Sequence, residues 1–168
     1  DAAVGFQPHF AYGGGDCPAV LETTAREIES SDAYIIVSPE YNHSIAPAAA
    51  DLLNHFGSSL FSFKSSLIVS YSAGQWGGAR AAMGWRQYLT ELGALPVSAT
   101  VLVPAAQDVY NEEGLPRDGQ AAWDTYIDRG VHQLLWWCEA AKRQRATAGP
   151  ATAAFTRTPR ERNAPSRP

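Results

Sequence analysis

Two short stretches hold residue types that could do chemistry: Ser38-Pro39-Glu40-Tyr41-Asn42-His43-Ser44 and Ser72-Ala73-Gly74-Gln75-Trp76-Gly77-Gly78. Each follows an apolar, β-rich run (33–37 and 67–71) and precedes a helical pattern. A loop between a strand and a helix presents free backbone N–H groups and the positive end of the helix to whatever lies against it. Gly74, Gly77 and Gly78 let the backbone approach a ligand closely or adopt positive φ. Pro39 fixes the turn after the strand, Tyr41 offers a flat face, and Asn42 offers a donor and an acceptor together. Donors so placed suit a flat, polar-edged, electron-accepting ring. Taken singly, each Gly or Pro is also what any tight strand–helix turn uses.

Isoalloxazine is such a ring. Negative charge develops near its N1 and C2 carbonyl on reduction, donors fixed there favour the reduced form, and the hydride chemistry belongs to the ring itself. Other constellations are weaker. His43, Ser44 and Glu40 cluster locally, but a Ser-His-acid triad needs a base positioned across the fold and a strained elbow around the serine. His9, His43, His55 and His132 show no ligand spacing with Cys or acid, so no metal site is expected. Cys17 and Cys138 lie far apart and are expected to be reduced thiols. Asn42-His43-Ser44 matches a glycosylation sequon but stands without other signs of secretion. Glu112-Glu113 reads as a solvated acidic loop. Trp136 and Trp137 cannot both face the same way, so one is expected on the core and the other at a surface or interface.

The elements that must position these loops follow from periodicity. The lead-in 1–16 has none. Residues 17–31 read as a helix with Val20, Leu21, Thr24, Ala25 and Ile28 inward. After the strand 33–37, a helix over 46–56 has Pro47 in its opening turn and Leu52, Leu53 and Phe56 as its apolar face. A connector (60–63) leads to a strand over 66–71. A helix over 79–92 carries Ala82, Met83, Arg86, Leu89 and Leu92, with Gly93 as its C-cap. A third strand over 97–103, a loop over 105–117 and a helix over 118–143 follow, the last striped by Trp123, Ile127, Val131, Leu134, Leu135 and Cys138. Repeated strand–loop–helix units imply a parallel sheet with crossover helices, and in such sheets ligands lie beyond the carboxyl ends of the strands. Both loops therefore line one expected site.

Composition sets the outer bounds. With 168 residues, 45% of them hydrophobic, the chain fits one domain (1–143), followed by a disordered basic Ala/Thr/Pro/Arg tail (144–168). A net charge of −4 offers no basic field to nucleic acid or an anionic membrane. Neither a membrane span nor a signal pattern is evident, and a soluble cytoplasmic protein is expected. The chain opens on Asp1, and Met83 is its one methionine, which suggests processing or a longer product.

The residues Ser38-Pro39-Glu40-Tyr41-Asn42-His43-Ser44-Ile45, followed by Leu52-Leu53-Asn54-His55-Phe56, resemble the signature of the NADPH-dependent FMN reductase family. The run 70–82 resembles that family's second flavin loop, and Leu92-Gly93-Ala94-Leu95-Pro96-Val97 its strand entry; the likeness covers 19–138. The resemblance implies an α/β, flavodoxin-like, doubly wound parallel sheet with three strands present and flanking helices. It implies non-covalent FMN and hydride transfer from NADPH or NADH through FMN to a quinone, flavin or similar small-molecule acceptor. It also implies a homodimer joined through helices 46–56 and 79–92. FMN-binding positions carried over are Pro39, Glu40, Tyr41, Asn42, Ser72, Gly74, Gln75, Gly77 and Gly78.

Two departures stand out. Ala46-Pro47-Ala48-Ala49-Ala50-Asp51 replaces the family's bulkier run, which is expected to weaken helix packing at the dimer surface. Before Asp32 there is no counterpart of the family's first strand, phosphate loop, helix and second strand. The first two family strands are thus expected to be missing, with 33–37 exposed as a sheet edge. That second departure motivates a competing reading: a catalytically silent remnant that dimerises with, or regulates, a full-length relative.

Overall fold

A computed structural model describes residues 6–12 and 15–148. Three parallel strands form the sheet, in the order β1 (Ala33–Pro39), β2 (Lys64–Tyr71), β3 (Ala94–Val103). Register runs from Ala33↔Ser65 to Pro39↔Tyr71 on one side of β2 and from Lys64↔Ala94 to Tyr71↔Val103 on the other, with an irregularity at Ser66/Ile68. The helices are α1 (Ala19–Ser30), α2 (Pro47–Asn54), α3 (Ser58–Phe61), α4 (Ala79–Leu92), α5 (Ala106–Val109) and α6 (Gln120–Ala148), with a 3-10 turn at His9–Ala11. The expected three-stranded α/β arrangement with flanking helices is what forms.

Side chains alternate across a strand, so neighbours on β2 serve opposite layers. Ile68 packs with Ala25, Phe56, Phe61, Ala82, Trp85 and Leu89, under α1, α3 and α4. Leu67 packs with Val97, Ala99 and Leu134, under α6. Gly130 permits the second contact, since a Cβ there would lie 3.0 Å from Leu67 Cδ1. β1 is an outer strand of the described sheet, and its Ile35 and Val37 side chains are 49% and 64% exposed.

At the opposite end of the strands from the loops, Lys64 is buried and the three N–H groups of its Nζ are shared among Ile28 O, Glu29 O, Leu60 O and Tyr34 Oη, all at 2.8–2.9 Å. One ammonium thereby satisfies the carbonyls that end α1 and α3.

Several sequence expectations need correction. Val20, Leu52, Met83 and Leu135 are exposed rather than inward, while Trp85, absent from the expected α4 face, is fully buried. Ala82, Trp85 and Leu89 make the inward stripe, at i, i+3 and i+7; Met83 is one step round the helix from it. Trp136 and Trp137 are both exposed and stack edge-to-face on each other, ring centroids 4.7 Å apart, so neither covers the core. The loop 105–117 contains α5, and the connector after α2 contains α3. The tail does not begin at Gln144: α6 continues to Ala148, anchored by Arg145, whose guanidinium donates to Asp32 Oδ1 and Phe63 O at 2.7 Å. The remainder of the expected tail lies outside the described residues. Among those described, no helix is long and apolar enough to cross a membrane.

Candidate functional site

The strand register places Pro39, Tyr71 and Val103 side by side, so the segments following them leave the sheet at one level. Backbone hydrogen bonds then stitch the loops together. Glu40 N–H donates to Tyr71 O at 2.9 Å, Ser72 N–H to Val103 O at 3.2 Å, and Ala105 and Ala106 N–H to Gly74 O and Ser72 O at 3.1 Å. The first loop is thereby tied to the end of β2, and the second to the segment that follows β3. A third segment, 104–107, which sequence reasoning left as unremarkable loop, packs beside the second loop at the same end of the sheet. Its detectable signal was Pro104 closing β3, the same punctuation that Pro39 gives β1. Fully buried Ser38 and Ser70 lie at the floor, where Ser70 Oγ donates to Ser38 O at 3.2 Å.

In the first loop, Tyr41 and Ser44 exchange two backbone hydrogen bonds of 2.9 and 3.1 Å across Asn42 and His43, whose φ values are 49° and 60°. Two consecutive left-handed residues bridged in this way are the signature of a tight primed turn, in which Asn is favoured. Pro39 ends β1 and is partly buried. Tyr41 and Asn42 project at the exposed tip.

Glu40 does something different from lining a ring. Its Oε2 accepts from Arg80 N–H at 2.9 Å and Ala81 N–H at 3.2 Å, and its Oε1 from Arg80 Nη1 at 3.3 Å; the side chain is 8% exposed. It therefore caps the N-terminus of α4 from another loop. Burial raises the Glu40 pKa, but the Ala81 and Arg80 N–H groups and the Arg80 guanidinium outweigh it, leaving the pKa below the ordinary carboxylate value. The positive end of α4, expected to face a ligand, is already occupied by this carboxylate.

The glycines of the second loop divide in two. Gly77 (φ 58°) sits against the chain itself: a Cβ there would lie 2.9–3.1 Å from the Val103–Pro104 backbone. Gly78 (φ 80°) would meet Ser70 Oγ and, at 2.9 Å, Tyr71 N. Both are buried, and both let the loop pack on β2 and β3 rather than let a ligand approach. Gly74 is exposed, with nothing closer to its Cβ position than Ser72 Oγ at 4.0 Å. Gln75 and Trp76 are exposed beside it. Among the described residues, the backbone N–H groups of Asn42, Gly74, Gln75 and Trp76 have no acceptor within the chain. Ser72 Oγ is spent on Gly74 O at 3.2 Å.

The two loops thus carry unpaired backbone donors and the exposed side chains of Tyr41 and Trp76, while the charged pair Glu40 and Arg80 is engaged internally. Such a surface can position a polar-edged planar ligand that carries its own reactivity. The donor set fits the edge of an isoalloxazine. Elsewhere, His9, Cys17 and Glu22, which show no ligand spacing in sequence, bring a donor atom each within 4.8 Å of one another.

Known proteins resemble this chain in sequence and in fold. The chain is 32% identical over 124 residues to the NAD(P)H-dependent FMN reductase PA1204 of Pseudomonas aeruginosa, which covers 71% of this chain and 66% of that protein. It is 37% identical over 81 residues to the quinone reductase of Escherichia coli, covering 46% of this chain and 43% of that one. The chain therefore spans just under two thirds of the first relative and less than half of the second. Among solved structures, the flavoenzyme NAD(P)H:(acceptor) oxidoreductase FerB from Paracoccus denitrificans superposes with a TM-score of 0.64 at 22% identity, over 80% of this chain and 76% of FerB. An oxidoreductase from Corynebacterium diphtheriae gives 0.60 at 16% identity, over 74% and 64%. At those identities the superpositions establish the flavodoxin-like fold alone. The family model described as NADPH-dependent FMN reductase matches residues 6–108, more than half of the chain. The crevice at the strand ends, with both loops inside that match, is the candidate site of a chain that belongs to the NADPH-dependent FMN reductase family.

Proposed function

We propose that this chain forms the ring-holding side of an NAD(P)H-dependent FMN or quinone reductase, with Tyr41, Asn42, Gly74, Gln75 and Trp76 against the flavin. Bound FMN would accept hydride from NADPH or NADH and pass reducing equivalents to a quinone, free flavin or similar small acceptor. The residues' task is positional. The free N–H groups of 74–76 donate to the polar edge of the ring, while Tyr41 and Trp76 cover it. Pro39, Glu40, Ser72, Gly77 and Gly78 hold the two loops in place from behind.

The observation that supports this reading is the set of unpaired N–H groups on the loops that follow two neighbouring parallel strands, β1 and β2. The same reading takes two copies to associate through α2 and α4, where Leu52 and Met83 are exposed. Two free cysteines fit a reducing, cytoplasmic setting.

A second reading rests on β1, whose outer edge and exposed Ile35 and Val37 are consistent with a chain that pairs with other protein without turning over. Titrating FMN into the dialysed chain, with flavin fluorescence and sedimentation followed together, separates the two. Saturable quenching at about one FMN per chain, followed by quinone-dependent NADPH oxidation, supports the reductase. A folded, soluble dimer that leaves flavin fluorescence unchanged refutes it in favour of the silent partner.

A further inference from the structure

His9, Cys17 and Glu22 come from three separate pieces of backbone: the 3-10 turn, the residue before Pro18 that leads into α1, and the first turn of α1. An imidazole nitrogen, a thiol sulfur and a carboxylate oxygen from them all lie within 4.8 Å of one another, and His9 Nε2 is 3.0 Å from Glu22 Oε2. His9 and Cys17 are partly buried, and Glu22 is exposed.

The His9–Glu22 hydrogen bond explains two of these groups but not the third. Cys17 Sγ has one polar contact among the described residues, a weak 3.7 Å approach to Pro18 O, so the sulfur is uncommitted. His9, by contrast, is fixed from behind. Its backbone N–H donates to His55 O at 2.7 Å, and its ring packs 6.1 Å from that of Phe56.

We propose that His9, Cys17 and Glu22 form a three-ligand site for a zinc-class divalent cation, with the fourth position open to water. One nitrogen, one sulfur and one oxygen is a borderline-soft donor set. It suits Zn(II) or Co(II) and does not suit calcium or magnesium, which take oxygen ligands. At Zn bond lengths of about 2.0–2.3 Å, tetrahedral ligand atoms sit roughly 3.3–3.7 Å apart. The His9–Glu22 separation is already close to that, and closing on the sulfur needs about 1 Å of movement, within the reach of rotamer adjustment at Cys17 and the exposed Glu22. On binding, the Cys17 S–H proton passes to solvent as the metal–sulfur bond forms. The cation would pin the lead-in segment to α1, independently of anything bound at the strand-end crevice.

The test is a Co(II) titration of the full chain after chelator treatment, followed by Zn(II) displacement. The expected result is a thiolate-to-cobalt charge-transfer band that saturates at about one cobalt per chain and disappears on adding Zn(II). Cys17→Ser abolishes the band, and Cys138→Ser leaves it intact. Glu22→Gln is exposed and should fold normally, so its expected loss of cobalt affinity, at least about tenfold, cannot be ascribed to misfolding. Three results would overturn the proposal: no thiolate band at saturating cobalt, a band lost with Cys138→Ser but kept in Cys17→Ser, or unchanged affinity in Glu22→Gln.

Discussion

Replacing Glu40 tests whether the first loop is built to hold α4. In Glu40→Ala, two helix N-terminal N–H groups lose their acceptor, and one belongs to Ala81, which is fully buried. An orphaned buried donor costs about 1–3 kcal/mol, and the better hydrated Arg80 N–H costs less. The Arg80 guanidinium contact, on a side chain 45% exposed, adds little. The sum is about 2–3 kcal/mol, which for a chain of this size lowers Tm by about 4–10 °C. Glu40→Gln keeps one acceptor and loses the charge at the helix end, a loss of about 1 kcal/mol.

The pH dependence is fixed in sign. The folded Glu40 pKa lies below its ordinary value, so its contribution is complete above the unfolded value of about 4.3 and is lost as pH falls through the folded value. Thermal melts of parent and Glu40→Gln should therefore differ at neutral pH and converge in acid. A Glu40→Ala protein melting within about 1 °C of the parent, or a Glu40→Gln deficit undiminished in acid, would refute the capping role.

Gly78→Ala should destabilise the chain by about 3 kcal/mol or more, since a left-handed non-glycine costs about 1–2 kcal/mol and its Cβ also meets Ser70 and Tyr71. Gly74→Ala, with an open Cβ position, should be nearly neutral; urea unfolding of the two variants makes the comparison. Lys64→Met removes the donor of Glu29 O and leaves Ile28 O and Leu60 O to share the Tyr34 hydroxyl, and its urea midpoint should drop by an amount equivalent to about 1–3 kcal/mol. Trp76→Ala removes an exposed ring and should melt like the parent while binding FMN about 2–10-fold more weakly, as read by fluorescence titration. Equal affinity would take Trp76 out of the site.

What could be read from the sequence was what local pattern determines. α4 was bounded at both ends because Gly78 and Gly93 take left-handed φ, which punctuates a helix whatever surrounds it. The parallel sheet followed from strand–loop–helix repetition, and the placing of both loops at one end of it from topology. What could not be read depended on contacts between distant segments. Nothing near Glu40 indicates that its carboxylate reaches the start of a helix 40 residues on. The glycines at 77 and 78 look the same in sequence whether they make room for a ligand or for Val103, Pro104 and Ser70. Arg145 was assigned to a solvated tail because its composition is polar, yet Asp32 and Phe63 O hold it. His9 and Cys17 showed no ligand spacing because the packing of the 3-10 turn against α1, not their separation in sequence, sets their distance.

These long-range contacts decide which experiments report on the site. Gly77→Val looks like a direct block to a ligand, but its Cβ would first displace the Val103–Pro104 backbone, so weakened flavin binding in that variant would report a distorted loop. The same holds for Glu40, whose loss frees the start of α4. The four backbone hydrogen bonds that tie these loops to the strand ends and to one another preform the surface there, and preformed donors bind without the cost of ordering a loop. A variant at Gly77, Gly78 or Glu40 should therefore lose stability and flavin affinity together. Changes at the exposed Tyr41, Gly74 or Trp76 should separate the two, losing affinity at constant Tm. If Trp76→Ala and Gly78→Ala instead lost affinity in the same proportion to stability, the crevice would be scaffold throughout, and the flavin edge would have to be sought elsewhere on the chain.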